Sequence, residues 1–419
     1  MSPEGRSNRK VTLKVPGSKS LTQRALTVAA LAKGQSRLRN ALLAEDTRHL
    51  MTALDLLGAG IQIGEHEIRI TGTGGRIQEP AQAIFLGNNG TALRFLTSLV
   101  CLGDGRFVLD GTPRLRERPV EPLLQVLRGM GVSIDTPENR GCPPVHVTAR
   151  GLSGGQAIFA DLDSSQYVSS LLLSSPYAAQ DVEIRLAGST VSEPYIDMTL
   201  QVMEQFGVTV ERRGENVFHV PAGQSYTARS YVVEGDYSSA SYFFLAAALG
   251  LGQIQVPDLT AGSVQGDARF LKILEDLGCS VAWNEKGVEV ACGRLRPGDL
   301  ELPMGDIPDM VPSLALLAAF RQGRTVITES AHLRIKESNR LAALAAELGR
   351  IGIAARETAD GLVIDGGHPI GGDIETYNDH RIAMSFAVAG LVVPGIRIKD
   401  RACVGKSFPG FWEELKKLN

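Results

Sequence analysis

Lys19 and Arg24 fall in the stretch KVPGSKSLTQRAL (14–26), where a Pro-Gly break gives way to helical apolar spacing at Leu21, Ala25, Val28, Ala29 and Ala32. A helix starting there aims free backbone amides, the positive end of its dipole and two cationic side chains at one spot, which suits an anion. Ser20 with Gln23 three residues on reads as a capping box, and Gly34 as the C-terminal stop. The text GSKS resembles the end of a Walker A loop, but the upstream glycine of that motif is absent, position 12 being Thr. Taken alone, the stretch reads equally well as a capped helix with solvated cations.

Other cations also stand at the boundaries of predicted elements. Arg118 lies in PRLRERPVEPLL, Lys336 and Arg340 flank an acid in RIKESNRL, Arg381 lies in NDHRIAM and Lys406 in VGKSFPGF. Arginine suits bidentate phosphate or carboxylate binding, and lysine acts as a point charge. Two acids stand among them. Asp309 follows Pro308 at a helix start, and Glu337 shares a helical side with Arg340 at i, i+3. They read either as an N-cap and a salt-bridged helix, or as acid/base groups beside an anion site, each then worth about 10²–10⁴-fold in rate.

Bulk properties narrow the classes. The chain has 419 residues, 43% hydrophobic, with a formal net charge of −3, so no global field draws it to nucleic acid or membrane and any anion affinity is local. The leader MSPEGRSNRK is polar, without the apolar core of a secretory signal, and no run approaches a membrane span. Five cysteines without CxxC spacing predict reduced cytoplasmic thiols, and scattered histidines imply neither a metal nor another cofactor.

The elements that must position these residues recur. LLGAGIQI, LRGMGVSI, MEQFGVTV, LEDLGCSV and ELGRIGIA each read as a helix end, a glycine turn and a strand, followed by a polar turn and second strand. The junction glycines Gly60, Gly131, Gly207, Gly278 and Gly352 are 71, 76, 71 and 74 residues apart. A sixth copy is split, since the chain starts on strand-like VTLKV and ends on the helix FWEELKKL; joining the ends completes the set. The predicted division is 1–17 with 233–419, and an inserted domain over 18–232. Second helices start near Thr91, Ser165, Tyr195, Ser238, Asp309 and Asp379, with charge-poor bodies suited to burial. Parallel helices in aligned units would point these starts the same way.

Together PGSKSLTQRAL, LGNNGTALRFL, RERPVEPLL, DSSQYVSSLLL, VSEPYIDMT, VEGDYSSASYFFLAAA, IPDMVPSLA, RIKESNRL, NDHRIAM and GKSFPGF resemble the 5-enolpyruvylshikimate-3-phosphate synthase family, in order and over essentially the whole chain. The resemblance implies an α/β (α+β) fold: a two-domain inside-out α/β barrel, each domain three βαβαββ repeats around buried parallel helices. It also implies transfer of the enolpyruvyl group of phosphoenolpyruvate to shikimate-3-phosphate, and a place among the targets of glyphosate. By the same resemblance, Ser20, Arg24, Ser164, Ser165, Gln166, Ser192, Tyr195, Asp309 and Lys336 bind shikimate-3-phosphate. Lys19, Gly90, Arg118, Gln166, Arg340, Arg381 and Lys406 bind phosphoenolpyruvate. Lys19, Glu337 and Asp309 are the candidates for proton transfer. A cytoplasmic monomer acting on small molecules alone is expected, with domain closure on ligand binding because the cations are divided between the domains.

Four positions depart from the family pattern. His332 stands where many members carry Asn, Glu193 where some carry Lys, Asn89 where many bacterial members have Ala, and Phe95 where Pro is common. One competing reading is enolpyruvyl transfer to UDP-N-acetylglucosamine, whose family has Lys-Asn at the position of Lys19-Ser20 and a loop cysteine that 111–118 lacks. The other is a non-catalytic anion-binding relative.

Overall fold

A computed structural model of the chain describes residues 9–137, 140–188 and 192–419. The polar leader over 1–8 and the first residue of the VSEPYIDMT motif lie outside the described residues. The chain divides into two compact units, one formed by the N-terminal segment through Ser18 together with Glu234–Asn419, the other by Lys19–Val233.

One sheet plan recurs in both units: an outer strand runs parallel to a second, which continues into an antiparallel hairpin. In the inserted unit Ser230–Val232 lies beside Lys33–Arg39, followed by Glu67–Thr73 and Gly60–Ile63. Ile84–Phe85 heads a second such sheet and Gly155–Phe159 a third. In the other unit Lys10–Thr12 heads the sheet of Gln253–Val256, Gly287–Ala291 and Ser280–Asn284, and Leu300–Pro303 heads another. Asp373–Ile374 and Arg397–Ile398 form a two-stranded parallel sheet.

These pairings correct the expectation that the chain ends join to complete a sixth copy. The N-terminal strand leads the fourth repeat, not the sixth, and the sixth shows no hairpin among the described residues. The C-terminus still packs nearby, with Arg9 Nη1 donating to the Asn419 carbonyl at 3.0 Å and Lys14 N to Glu414 at 2.9 Å. Lead strand and repeat body are separated by 243 residues in one case (Lys10 beside Gln253) and 193 in another (Ser230 beside Arg37), and only backbone pairing reveals the match.

Inside each unit three helices carry almost nothing but buried residues. In the inserted unit these are Lys19–Leu31, Gly90–Leu99 and Gln166–Ser174. In the other they are Tyr237–Ala248, Val311–Ala319 and His380–Ala389. Residues close to the starts of different helices meet: Asn89 reaches Gln23, Gln166 reaches Thr91, Ser241 reaches Ser313, and Arg381 reaches Tyr242. The three helices of each unit therefore run in the same direction. The sheets lie outside them, with alternating burial such as that of Val145–Arg150 marking one face in and one face out. Separate sheets, not one closed barrel, surround the helices. Approach is close: a Cβ on Gly72 would stand 2.2 Å from the Ala32 carbonyl oxygen, so only glycine lets that strand cross the helix end.

Local details differ from expectation in four places. The first helix starts at Lys19, so Ser20 sits within its first turn, and Gln23 Oε1 accepts from Asn89 Nδ2 at 2.8 Å; no capping box forms. That helix ends at Leu31, and Gly34 takes its positive φ inside the following strand instead of acting as the stop. Gly131, Gly207, Gly278 and Gly352 adopt the left-handed turn, but in the first repeat Gly58 does so and Gly60 opens the strand. The helix near Tyr195, Pro194–Gln205, is the one that runs into Gly207, so it is not a second helix of its repeat.

Candidate functional site

In the inserted unit the starts of the three core helices gather a polar group. Lys19 Nζ donates to Asp46 Oδ2 at 3.1 Å, and the Asp46 carbonyl accepts from Asn89 Nδ2 at 2.7 Å. Asn89 caps its own helix by accepting from Ala92 N at 3.0 Å. Next to it, the guanidinium of Arg118 donates to the Asn88 carbonyl at 3.1 Å, and a Cβ on Gly90 would stand 2.4 Å from Arg118 Cζ. Gln166 accepts from Arg94 at 2.8 Å and donates to Thr91 at 2.9 Å.

Arg24 is fully buried one turn into its helix. It donates to Thr199 Oγ1 at 2.8 Å, to the Tyr195 carbonyl at 2.8 Å and to the Ser20 carbonyl at 3.0 Å. Phe95 and Tyr195 face its guanidinium at 5.3 and 5.9 Å. Phe95, one of the four departures, thus belongs to the packing of this cation. Burial pulls the Arg24 pKa down to about 10, which leaves it charged at neutral pH. Ser164 and Ser165 are buried at the start of Gln166–Ser174, and Ser164 Oγ accepts from Gln166 N at 3.3 Å. Ser192 takes a left-handed φ of 62° and its carbonyl accepts from Tyr195 N at 3.1 Å, where it opens the helix Pro194–Gln205.

The other unit holds an arginine gripped by three acids. Arg340 Nε donates to Asp379 Oδ2 at 2.8 Å, Nη1 to Asp309 Oδ1 at 2.9 Å and Nη2 to Glu337 Oε2 at 2.9 Å. Arg381 Nη2 donates to the second oxygen of Asp309 at 2.6 Å. The Arg340 side chain is 1% exposed and Asp379 0%, whereas Glu337 keeps 10% and Asp309 21%. Only the last two acids have an edge that an incoming molecule can touch. Burial pushes the Asp309 carboxyl up, but Arg381, Arg340 and Lys336 together outweigh it and hold it below the usual carboxylate range. Burial likewise works against the Arg340 cation, and Asp379, Glu337 and Asp309 reverse it, keeping Arg340 protonated at any working pH.

Asp309 does not cap Val311–Ala319, so the N-cap reading fails there; Glu337 does pair with Arg340, but from ahead of the helix Arg340–Arg350, so the two do not share a helical side. Lys406 is buried at the end of a turn, Ala402–Lys406, that packs on the helix carrying Arg381. His332 is buried with its Nε2 unpartnered, and burial together with Lys336 takes its pKa down to about 3, so it is neutral at pH 7. Among the described residues no group of His, Cys, Asp or Glu is arranged to hold a metal, and no helix is long and apolar enough to cross a membrane.

Two acids had no place in the site expected from the sequence. Asp379 looked like an ordinary helix cap, and it does accept from Arg381 N at 3.0 Å, but the same carboxylate holds Arg340 and accepts from Ser338 Oγ at 3.0 Å. Asp267 is buried, accepts from Ser238 Oγ, and is raised to about 7 by burial and by the nearby Asp309 charge. Neither of these roles has a local signal, because Arg340 lies 39 positions from Asp379 and Ser238 lies 29 from Asp267.

Residues 3–415 match the family model of EPSP synthase (3-phosphoshikimate 1-carboxyvinyltransferase). The chain is 46% identical to the 3-phosphoshikimate 1-carboxyvinyltransferase of Syntrophobacter fumaroxidans over 413 residues, covering 98% of this chain and 97% of that protein. It is 43% identical to that of Nostoc punctiforme over 409 residues, with 97% and 96% covered. Among solved structures, EPSP synthase from Acinetobacter baumannii superposes with a TM-score of 0.81 at 30% identity, covering 98% of this chain and 96% of that one.

Proposed function

We propose, from the two polar groups just described, how this chain, which belongs to the EPSP synthase (3-phosphoshikimate 1-carboxyvinyltransferase) family, carries out its reaction. It transfers the enolpyruvyl group of phosphoenolpyruvate to the 5-hydroxyl of shikimate-3-phosphate and releases phosphate, a step in aromatic amino acid biosynthesis. Each substrate brings a phosphate and a carboxylate, which is why cations and helix starts are needed in number. The observation that carries the assignment of roles is the buried Arg340, whose acid partners Asp309 and Glu337 keep an exposed edge beside a second cation, Arg381.

In this reading Arg340, Arg381, Lys406, Lys19, Arg118, Gly90 and Gln166 receive phosphoenolpyruvate. Shikimate-3-phosphate is received by Ser20, Arg24, Ser164, Ser165, Gln166, Ser192, Tyr195, Asp309 and Lys336. C3 of phosphoenolpyruvate gains a proton from Glu337 or Lys19 while the 5-hydroxyl attacks C2 and passes its proton to Asp309. The tetrahedral adduct then loses phosphate and a C3 proton. Asp309, held ionised by Arg340 and Arg381, is a weak base until an anionic substrate competes for those guanidiniums. Work in the reducing cytoplasm fits five free thiols.

The direct test is phosphate release from phosphoenolpyruvate, which should require shikimate-3-phosphate and stay at background with UDP-N-acetylglucosamine. Equal release with the nucleotide sugar would defeat the acceptor assignment. A second test uses Gly90→Ala. Its new methyl forces the Arg118 guanidinium away, so KM for phosphoenolpyruvate should rise roughly tenfold with a smaller change in kcat. An unaltered KM would separate Arg118 from that substrate.

A further inference from the structure

Cys279 and Cys292 stand thirteen positions apart with no motif to link them, yet the fold sets them face to face. The hairpin strands Ser280–Asn284 and Gly287–Ala291 pair antiparallel with Ser280 opposite Ala291. One step outward the same register puts Cys279 opposite Cys292. Residues directly opposed in an antiparallel pair project to the same face with Cβ atoms about 4.5–5.5 Å apart, and a disulfide draws them to about 3.5–4.5 Å. Only a small closing movement separates the two arrangements. Each thiol shifts the ionisation of the other, Cys279 upward and Cys292 downward, as sulfurs in close approach do. Cys279 packs in the core, and Cys292 at its edge is half-buried.

We propose that Cys279 and Cys292 form a reversible modification site that closes to a cross-strand disulfide when the protein meets a two-electron oxidant of the peroxide class. Cys292 is the sulfur that reacts first. It is the more accessible of the pair, and the neighbouring Cys279 thiol favours its thiolate, while Cys292 and burial keep Cys279 protonated. The Cys292 thiolate attacks one peroxide oxygen; the S–O bond forms, the O–O bond breaks, and hydroxide leaves and takes up a proton. Cys279 sulfur then attacks the sulfenic sulfur of Cys292. The S–S bond forms, the S–O bond breaks, and the departing hydroxide leaves as water with the Cys279 proton. One peroxide is reduced by two electrons and the two thiols are oxidised by two. Cys101 and Cys403 lack this chemistry, since burial raises their thiols to about 12 and about 11. The bond would staple the hairpin whose inner strand carries Gln253–Val256 and, beyond it, the N-terminal strand.

The test treats the full-length protein with limiting hydrogen peroxide, alkylates remaining thiols, digests it and maps the peptides by mass. The expected product is one Cys279–Cys292 linked peptide, about two mass units lighter than its reduced halves and reopened by dithiothreitol. The oxidised protein should melt about 5 °C above the reduced protein, because the link restricts the unfolded chain. Cys292→Ser should lose both the link and the rise, and Cys142→Ser should keep them. Because the mapping uses the unaltered protein, it stands even if a variant folds poorly. Sulfinic or sulfonic Cys292 without a linked peptide, or links scattered among the five cysteines, would overturn the proposal.

Discussion

Arg340→Met should lower the stability of the protein by about 3–5 kcal/mol and abolish turnover, because it leaves buried carboxylates without their cation. Asp379 bears most of the cost. It has no exposure, and among the described residues only Ser338 Oγ and Arg381 N are left to donate to it. Methionine fills similar space, so a cavity is a minor part of the effect. The loss has a definite pH dependence. In the native chain Asp309 is held below the usual carboxylate range, so its contribution is complete above the ordinary carboxylate pKa of about 4 and fades only as pH falls below that. Without Arg340 one of the cations that hold the Asp309 carboxyl down is gone, so the variant has less of that contribution to lose as pH falls. The gap in melting temperature between the two proteins should therefore hold from pH 8 to pH 5 and narrow as pH falls below about 4. A gap that stays constant below that point would show that Asp309 does not sense the Arg340 charge.

Glu337→Gln should cut kcat by about 10²–10⁴-fold while leaving the melting temperature close to that of the parent. Glutamine keeps the length of the side chain and an oxygen for Arg340 Nη2, so the positioning bond survives as a neutral one. What it loses is the ability to carry a proton. Asp309→Ala should cost turnover on the same scale, with some added loss of stability since it frees one nitrogen each of Arg340 and Arg381. Steady-state phosphate release, read beside thermal melting, separates chemistry from folding in both variants. Near-normal kcat in Glu337→Gln would remove Glu337 from proton transfer and leave it as a positioning partner of Arg340.

Helix starts, glycine turns and the repeat period were legible in the chain because each depends on a few consecutive residues. The four left-handed turns at Gly131, Gly207, Gly278 and Gly352, and helix starts at Gly90, Gln166, Tyr237 and His380 close to those expected, are of this kind. The contact of Glu337 with Arg340 also forms, but through a bend ahead of the helix that Arg340 opens and not along a helical side. The slip at Gly58 shows the limit: two glycines two residues apart satisfy the same pattern, and the end of the preceding helix chooses between them. Which strand heads which sheet could not be read, since Lys10–Thr12 and Ser230–Val232 carry no mark of their partners and pair through backbone groups that every residue has. Nor could the double duty of Asp379, the burial of Asp267 or the meeting of Cys279 with Cys292. Local propensity acts over a turn of chain, whereas charge neutralisation and close packing act between whichever residues the folded repeats bring within a few ångströms, and that proximity exists only after folding.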